Sequence, residues 1–262
     1  MSGGYPIRPS TARCSCTGGP ITGWGTFCGS ASVNLGELVP GTLVERSQRF
    51  VARVEVAGTA VEAHVPNSGR LAELMLPGTA VLLRRDPGRA RRRTGCDLVL
   101  VDHGGGWTCV DTRLPPHLVV EAIRRGVLRE FPPTAVVERE VRLGGSRLDL
   151  RVAYDQMTGY VETKSVTLVQ DGRAMFPDAP TARGTRHLAE LARSVAPGIR
   201  GVVVFVVQRP DAVTFAPHEV MDPHFAAGLR TARGRGVEVL CYRCETTPSS
   251  IAIGKRLPVH LG

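Results

Sequence analysis

The pattern of apolar and polar positions changes twice along the chain. Residues 1–40 are rich in Gly, Ser, Thr and Pro and show no period. A segment of that kind cannot bury enough apolar surface to fold, so a disordered tail is expected there. From Thr42 a period of two takes over. Phe50–Val56 and Thr59–Val65 alternate across a turn at Gly58, and Pro66-Asn67-Ser68-Gly69 is a second turn signal. Thr79–Arg84 reads as a strand entered from Pro77-Gly78. Asp97–Val101 and Trp107–Thr112 flank a glycine triplet and read as a hairpin. About five short strands with almost no helix favour a closed barrel, which removes exposed edges. An OB-like barrel over residues 41–114 is therefore expected.

Beyond Pro115-Pro116 the pattern alternates between periods. His117–Arg125 reads as a short helix, and Val136–Leu143, Arg147–Ala153 and Tyr160–Val166 as strands. Arg183–Val195 carries Leu188, Leu191, Ala192 and Val195 at helical spacing. Gly201–Val207 is a continuous β-branched run, the mark of a strand buried on both faces. Asp222 followed by Pro223 is an N-cap and first-turn signal for a helix to Arg233, and Val237–Tyr242 reads as a last core strand. The fold expected is thus α/β with an all-β N-terminal domain: a small barrel, then a mixed α/β domain over residues 115–262.

Composition narrows the function classes. With 42% hydrophobic residues the chain can bury real cores, but aromatics are only 5%, so Val, Leu, Ala and Ile must fill them. Lys and Arg total 33 against 24 Asp and Glu, a net +9 that suits a polyanionic partner. Arg far outnumbers Lys, as in Arg-rich proteomes generally, so position must decide what the excess means. The longest apolar run, Val202–Val207, is far short of the roughly 20 residues of a membrane helix. No export signal is apparent at the N-terminus, so a cytoplasmic protein with reduced thiols is expected. Cys241 and Cys244 have the spacing of a metal knuckle, yet on a strand residues three apart face opposite sides.

Candidate chemistry lies on two neighbouring strands. Arg147, Asp149 and Arg151 should face away from Leu148, Leu150 and Val152. Glu162 and Lys164 share a face of the next strand, and the turn at Asp155–Gly159 makes the pair antiparallel. Asp149 can then lie beside Glu162. Adjacent carboxylates repel unless a cation sits between them, and a Mg²⁺ or Mn²⁺ ion suits such oxygens. The Thr163 carbonyl could add a ligand, Glu140 a further acid, and Lys164 could stabilise an attacking hydroxide. Asp followed by Glu-x-Lys is the arrangement of PD-(D/E)XK nucleases. Glu-x-Lys also occurs on solvated strands, where it is only a surface pair.

Further motifs stand in order around that site. Gly144-Gly145-Ser146-Arg147-Leu148-Asp149, Val161-Glu162-Thr163-Lys164-Ser165-Val166, Phe176-Pro177-Asp178-Ala179, Thr181-Ala182-Arg183-Gly184 and His187-Leu188 follow one another. Val206-Val207-Gln208-Arg209 and Phe215-Ala216-Pro217 come after, and His64-Val65-Pro66-Asn67-Ser68-Gly69 precedes. From about Thr42 to Leu261 the chain resembles the sugar fermentation stimulation protein family. The resemblance implies an OB-like N-terminal domain, a PD-(D/E)XK nuclease-like C-terminal domain, DNA binding and a role in regulating sugar-utilisation genes. It does not decide whether DNA is cleaved. Thr163 stands where Val or Ile is usual and Val65 where Cys is usual, and neither change removes a ligand.

DNA contacts are expected from basic residues near these motifs. Arg84, Arg85, Arg89, Arg91, Arg92 and Arg93 crowd one hairpin loop, where a polyanion would relieve their repulsion. Arg70 and the backbone N–H groups of Asn67-Ser68-Gly69 could hold a phosphate, although an ordinary turn has the same sequence. Arg183 and His187 lie four apart on one helix, with Arg186 beside them, and could address the scissile phosphate. The functions in competition are a Mg²⁺-dependent DNA phosphodiesterase, a non-catalytic DNA-binding regulator on a nuclease fold, and a small-molecule or partner-binding protein. A homodimer is compatible with each.

Overall fold

The computed structural model describes residues 32–85 and 94–262. Two strands open it, β1 (Val33–Asn34) and β2 (Leu38–Gln48). Then come β3 (Val51–Val56), β4 (Thr59–His64), β5 (Ala80–Arg85), β6 (Cys96–Asp102) and β7 (Trp107–Cys109). The antiparallel order β4-β3-β2-β5-β6-β7 closes through parallel pairing of β4 with β6 at Ala63↔Cys96 and His64↔Asp97. Strands β2 to β6 thus form a closed five-stranded barrel. Leu43, Val54, Ala63, Leu83 and Leu98 fill it, each at most 2% exposed. Gly41 lets β2 approach β3: a Cβ there would stand 2.6 Å from a Val54 methyl and 2.9 Å from the Glu55 carbonyl oxygen.

Helix α1 (Pro115–Arg124) leads into the second domain. It is followed by β8 (Val136–Leu143), β9 (Ser146–Tyr154), β10 (Met157–Val166), β11 (Leu168–Gln170), β12 (Arg173–Phe176) and α2 (Ala182–Ser194). The chain ends with β13 (Ile199–Val207), β14 (Thr214–Pro217), α3 (Pro223–Gly234), β15 (Glu238–Thr246) and β16 (Ser250–Arg256). Seven strands form one mixed sheet in the order β1-β16-β15-β13-β10-β9-β8, and β11-β12-β14 form a small second sheet. Strand β13 lies between β10 and β15, parallel to both, as its unbroken apolar run requires. Val202, Val204 and Val206 face the core under α1, while Val203, Phe205 and Val207 face the core under α2 and α3. Thr181 and Asp222 cap α2 and α3 through Gly184 N–H and Phe225 N–H.

Three sequence expectations change. The tail does not extend to residue 40: β1 pairs with β16 at Val33↔Ile251 and Asn34↔Ser250, and Leu35 donates its N–H to the Ser249 carbonyl. Val33 and Leu35 are 5% and 1% exposed in the core of the second domain, an anchor too short to show a period. Residues 1–31 lie outside the described residues. Strand β2 escaped the reading because only Leu43 along it is fully buried and its register shifts twice. Leu148 departs from the expected alternation by joining the core under α2, while Leu150 and Val152 belong to the opposite core. The switch falls across from Glu140 of β8, whose φ of 56° leaves the regular strand region.

Cys241 and Cys244 are buried free thiols on opposite faces of the sheet, Cys241 in the core under α2 and Cys244 in that under α1. No helix among the described residues is long and apolar enough to cross a membrane.

A charged cluster ties the barrel to the start of the second domain. Asp97 and Asp111 are buried, and Arg113 bridges both carboxylates at 2.6 Å. Arg84 adds contacts at 3.4 Å to Asp97 and 3.3 Å to Asp111. Burial alone would raise the Asp97 carboxyl, but bonding and charge from Arg113, with His64 and Arg84, hold it below its usual value. A carboxyl lowered on folding adds stability that is present above its unfolded pKa and lost as the pH falls through the folded one.

Two measurements follow from these contacts. In urea titrations Leu35→Ala should destabilise the chain by about 2–4 kcal/mol, since it empties a packed core position. A loss under 0.5 kcal/mol would mean that the N-terminal segment is not part of the core. Asp97→Asn should cost about 3 kcal/mol at neutral pH, the usual result of breaking a buried pair. The parent should also lose stability below about pH 4, and the variant should lose less over the same window. Parallel acid titrations of the two would sink this account.

Candidate metal and phosphate site

The site forms where two paired strands part. Strands β9 and β10 hold an antiparallel ladder up to the rung Leu150↔Val161. One residue further, Asp149 takes over the bonding: its Oδ2 accepts from the Thr163 N–H at 2.8 Å and the Thr163 hydroxyl at 2.6 Å. A side chain thus replaces a ladder carbonyl, and the strands open toward a cleft. Glu162 shares its rung with Val203, so it lies on the sheet face covered by α2. That helix supplies His187, whose Nδ1 bonds Glu162 Oε1. Lys164 Nζ donates to the same oxygen at 2.7 Å. Arg183 Nε donates to His187 Nε2 at 3.3 Å, which leaves Nδ1 as the protonated nitrogen of that ring.

The Glu162 carboxylate is therefore bonded on one side only. Residue 162 is 4% exposed, yet its Oε2 is buried without a hydrogen-bond partner. It is the only carboxylate oxygen in that condition among the described residues. A buried charged oxygen left unbonded carries a large desolvation cost, which a cation would remove. Burial pushes the Asp149 carboxyl up, and the Glu162 charge pushes it further. Burial also works against ionised Glu162, but His187 and Lys164 outweigh it and hold that carboxyl below its usual value. One acid is held ionised beside another that resists ionisation, and a divalent ion bound there would favour the ionised form of Asp149.

A divalent metal fits this donor set. Two carboxylates and the Thr163 carbonyl would hold a hard cation such as Mg²⁺ or Mn²⁺, with water filling its other positions. No group of three or more His, Cys, Asp or Glu among the described residues has metal-binding geometry, so an all-side-chain cage is not what the site offers.

Both domains line the cleft. Asp149, Glu162, Thr163 and Lys164 form its floor, with Thr112 and Pro116 beside them. The barrel contributes Arg49 and the turn Asn67-Ser68-Gly69, and the segment from Phe176 to Arg183 forms the facing wall. Asp178 joins the two walls. Its Oδ2 accepts from the Leu71 N–H at 3.3 Å, and a Cβ on Gly69 would stand 2.2 Å from that oxygen. Below the cleft, the buried Gln208 side chain donates to the carbonyls of Cys109 and Asp111 at 2.8 and 3.3 Å.

Several candidate residues lie elsewhere than expected. Glu140 is not at the cleft: its side chain is 65% exposed, 3.7 Å from Arg147, on a left-handed residue that turns it out of the ladder. Arg84 serves the buried Asp97–Asp111 cluster, because those carboxylates require cations. His187 is 2% exposed and bonded to Glu162, so it positions that acid instead of meeting solvent. The 66–70 turn is a scaffold: Asn67 Oδ1 takes the Gly69 N–H, and Arg46 and Arg49 donate to the turn's carbonyls. Arg70 and Arg85 are exposed, Arg70 beside a groove adjoining the cleft. Arg183 lines the cleft, and Arg186 is exposed on the same helix. Arg89, Arg91, Arg92 and Arg93 lie outside the described residues.

Sequence reasoning missed Arg46, Arg49 and Asp178. Asp178 stood in a motif that the sequence displayed without disclosing its partner, since the contact spans 107 positions from Leu71.

The fold and site define a two-domain protein: an OB-type barrel, then a mixed α/β domain with the Asp and Glu-x-Lys arrangement of PD-(D/E)XK nuclease-like proteins. Residues 44–110 match the family described as "SfsA N-terminal OB domain", and residues 113–250 that described as "Sugar fermentation stimulation protein RE domain". The chain belongs to the sugar fermentation stimulation protein family. A sugar fermentation stimulation protein homolog of Alkaliphilus metalliredigens is 43% identical over 226 residues, covering 86% of this chain and 97% of the relative. The homolog of Geobacter metallireducens is 45% identical over 228 residues, with the same two coverages. Among solved structures, SfsA of Pyrococcus furiosus in complex with Ca²⁺ matches with a TM-score of 0.80 and 30% identity, covering 87% of this chain and 98% of that one.

The wall contact is open to a double-variant test. Gly69→Ala should cost about 1–3 kcal/mol in thermal or urea unfolding, because Asp178 must give up Leu71 to make room. In an Asp178→Ala background the same change should cost markedly less. Equal costs in the two backgrounds would remove Asp178 as the obstacle.

Proposed function

We propose that this protein is a divalent-cation-dependent DNA phosphodiesterase whose cleft holds Mg²⁺ or Mn²⁺ on Asp149, Glu162 and the Thr163 carbonyl. The observation that carries the reading is the unbonded, buried Oε2 of Glu162, set beside Asp149 while His187 and Lys164 hold the other oxygen. The Pyrococcus furiosus relative was solved in complex with Ca²⁺, which supports a divalent cation in this family.

The chain's own groups would divide the work. Asp149, fixed through Oδ2 by Thr163, and Glu162, fixed through Oε1, would present their remaining oxygens to the ion. A bound ion of this class supplies a water of lowered pKa and positive charge for a phosphoryl oxygen. Lys164 would offset the charge of the attacking oxygen. Arg183 and Arg49, one on each wall, would orient the phosphate, and the N-terminus of α2 adds its partial positive charge from the same side.

Supercoiled, linear duplex and single-stranded DNA incubated with and without Mg²⁺ or Mn²⁺ test this directly. Cleavage should require the ion, vanish in Asp149→Ala and Glu162→Ala, and fall in Lys164→Ala. Calorimetric Mn²⁺ binding should be lost in the two acid variants, whereas metal-free DNA affinity should stay equal or rise, since each removes a negative charge near phosphate. Metal binding without cleavage in the parent would make this a DNA-binding regulator on a nuclease fold. Mn²⁺ binding that both acid variants retain would reject the site itself.

A further inference from the structure

We infer that the turn between β2 and β3 is a stacking platform for an unpaired base, so that the cleft takes DNA with a single-stranded segment. This inference rests on the phosphodiesterase reading above and specifies its substrate. Six large hydrophobic residues are exposed among the described residues, and Phe50 is the only aromatic one, at 44%. Its backbone is fixed, because its carbonyl accepts from the Val65 N–H at 2.9 Å and the next residue pairs with His64. The ring therefore stands on a rigid turn and finds no core to enter.

Its neighbour ties it to the site. The Arg49 guanidinium lies over one face of the Phe50 ring, 5.6 Å from its centroid, so a base would stack on this Arg–Phe pair. Arg49 Nε donates to the Ser68 carbonyl at 3.0 Å, and Arg46 donates to the Arg49 carbonyl. Arg49 also lines the cleft that contains Asp149 and Glu162, as well as the adjoining groove that runs past Arg70. A guanidinium that lines a basic groove and lies over an exposed aromatic ring on an OB-type barrel suits a phosphate and a base together. Every base has a flat face, so the platform recognises an unstacked base of any sequence, while paired bases within a duplex keep theirs covered. The geometry thus points to single strands, overhangs or frayed ends and away from intact duplex.

Metal-free binding tests the inference apart from cleavage. In EDTA, fluorescence anisotropy compares a labelled single-stranded oligonucleotide with the duplex of the same sequence at one salt concentration. The parent should prefer the single strand. Phe50→Ala should weaken single-strand binding about 5- to 150-fold and leave duplex binding unchanged, the loss expected for one stacked base. Phe50→Trp should retain the affinity, and its added emission should be quenched by the single strand beyond any quenching in the parent. Equal affinity of the parent for both forms, or a Phe50→Ala loss that is absent or shared by the duplex, overturns the platform. Such a result leaves the cleavage reading intact if metal-dependent cutting is still observed. A parent that binds neither form in EDTA also overturns the platform, and the cleavage reading then stands or falls on the metal-dependent cutting assay.

Discussion

Burying the Glu162 carboxylate is the constraint around which the second domain is arranged. A charge in that position must be paired from several directions, or folding loses more than the sheet gains. Lys164 pairs with it from the same strand face, and His187 from a helix that crosses above. For His187 to reach it, α2 must begin close to the end of β10, which the Thr181 cap and the packing of Leu188 and Leu191 secure. Both partners bond the same oxygen. The remaining oxygen is buried without a partner, an asymmetry that a self-sufficient structural ion pair would not leave.

The cleft depends equally on the barrel. Without it, the carboxylates would stand at the open end of a sheet, exposed to bulk water that weakens every charge interaction. The segment Cys109–Thr112 prevents this by joining the domains. Gln208 bonds two of its carbonyls, and Thr112 bonds the Pro66 carbonyl through both N–H and hydroxyl. The N-terminal segment adds a second tie, since β1 leaves the barrel's chain to pair with β16. The barrel is thus fastened at both ends of its sequence to the sheet it faces, and the turn at 66–70 is held against Asp178 as one wall of a single groove.

Strong local signals made much of this legible. The β-branched run of β13, the Asp222-Pro223 cap and the alternation in β3 and β4 each reflect a residue's own surroundings, and the elements follow. Asp149 and Glu162 could be placed together because the turn between their strands is short and the period of a strand is two. What escaped the sequence depends on contacts made at a distance. Strand β2 has a single fully buried position, and Gly41 within it looks like loop until Val54 and Glu55 are seen against it. Glu140 has the chemistry of a ligand, but a left-handed backbone turns it away. His187 sits four residues from Arg183 on one helix, which suggested a shared surface role, while its burial is set by a sheet that periodicity does not locate.

The charges in the cleft show how binding and chemistry become linked under the proposed function. The floor carries two carboxylates, one held ionised and one that resists ionisation, and the walls carry Arg49 and Arg183. A phosphate that approaches without a cation meets the walls favourably and the floor unfavourably. Occupation of the floor by a divalent ion reverses the second contribution and leaves the first unchanged. The adjoining groove is lined by Arg46, Arg49 and Arg70 with no carboxylate among its lining residues, so its attraction for phosphate would not depend on the cation. DNA would then be retained along the outer groove in either state, while the scissile phosphate would settle against the floor only with the cation in place. Under the proposed function, separating the two surfaces in this way would let one chain hold its substrate without committing to cut it.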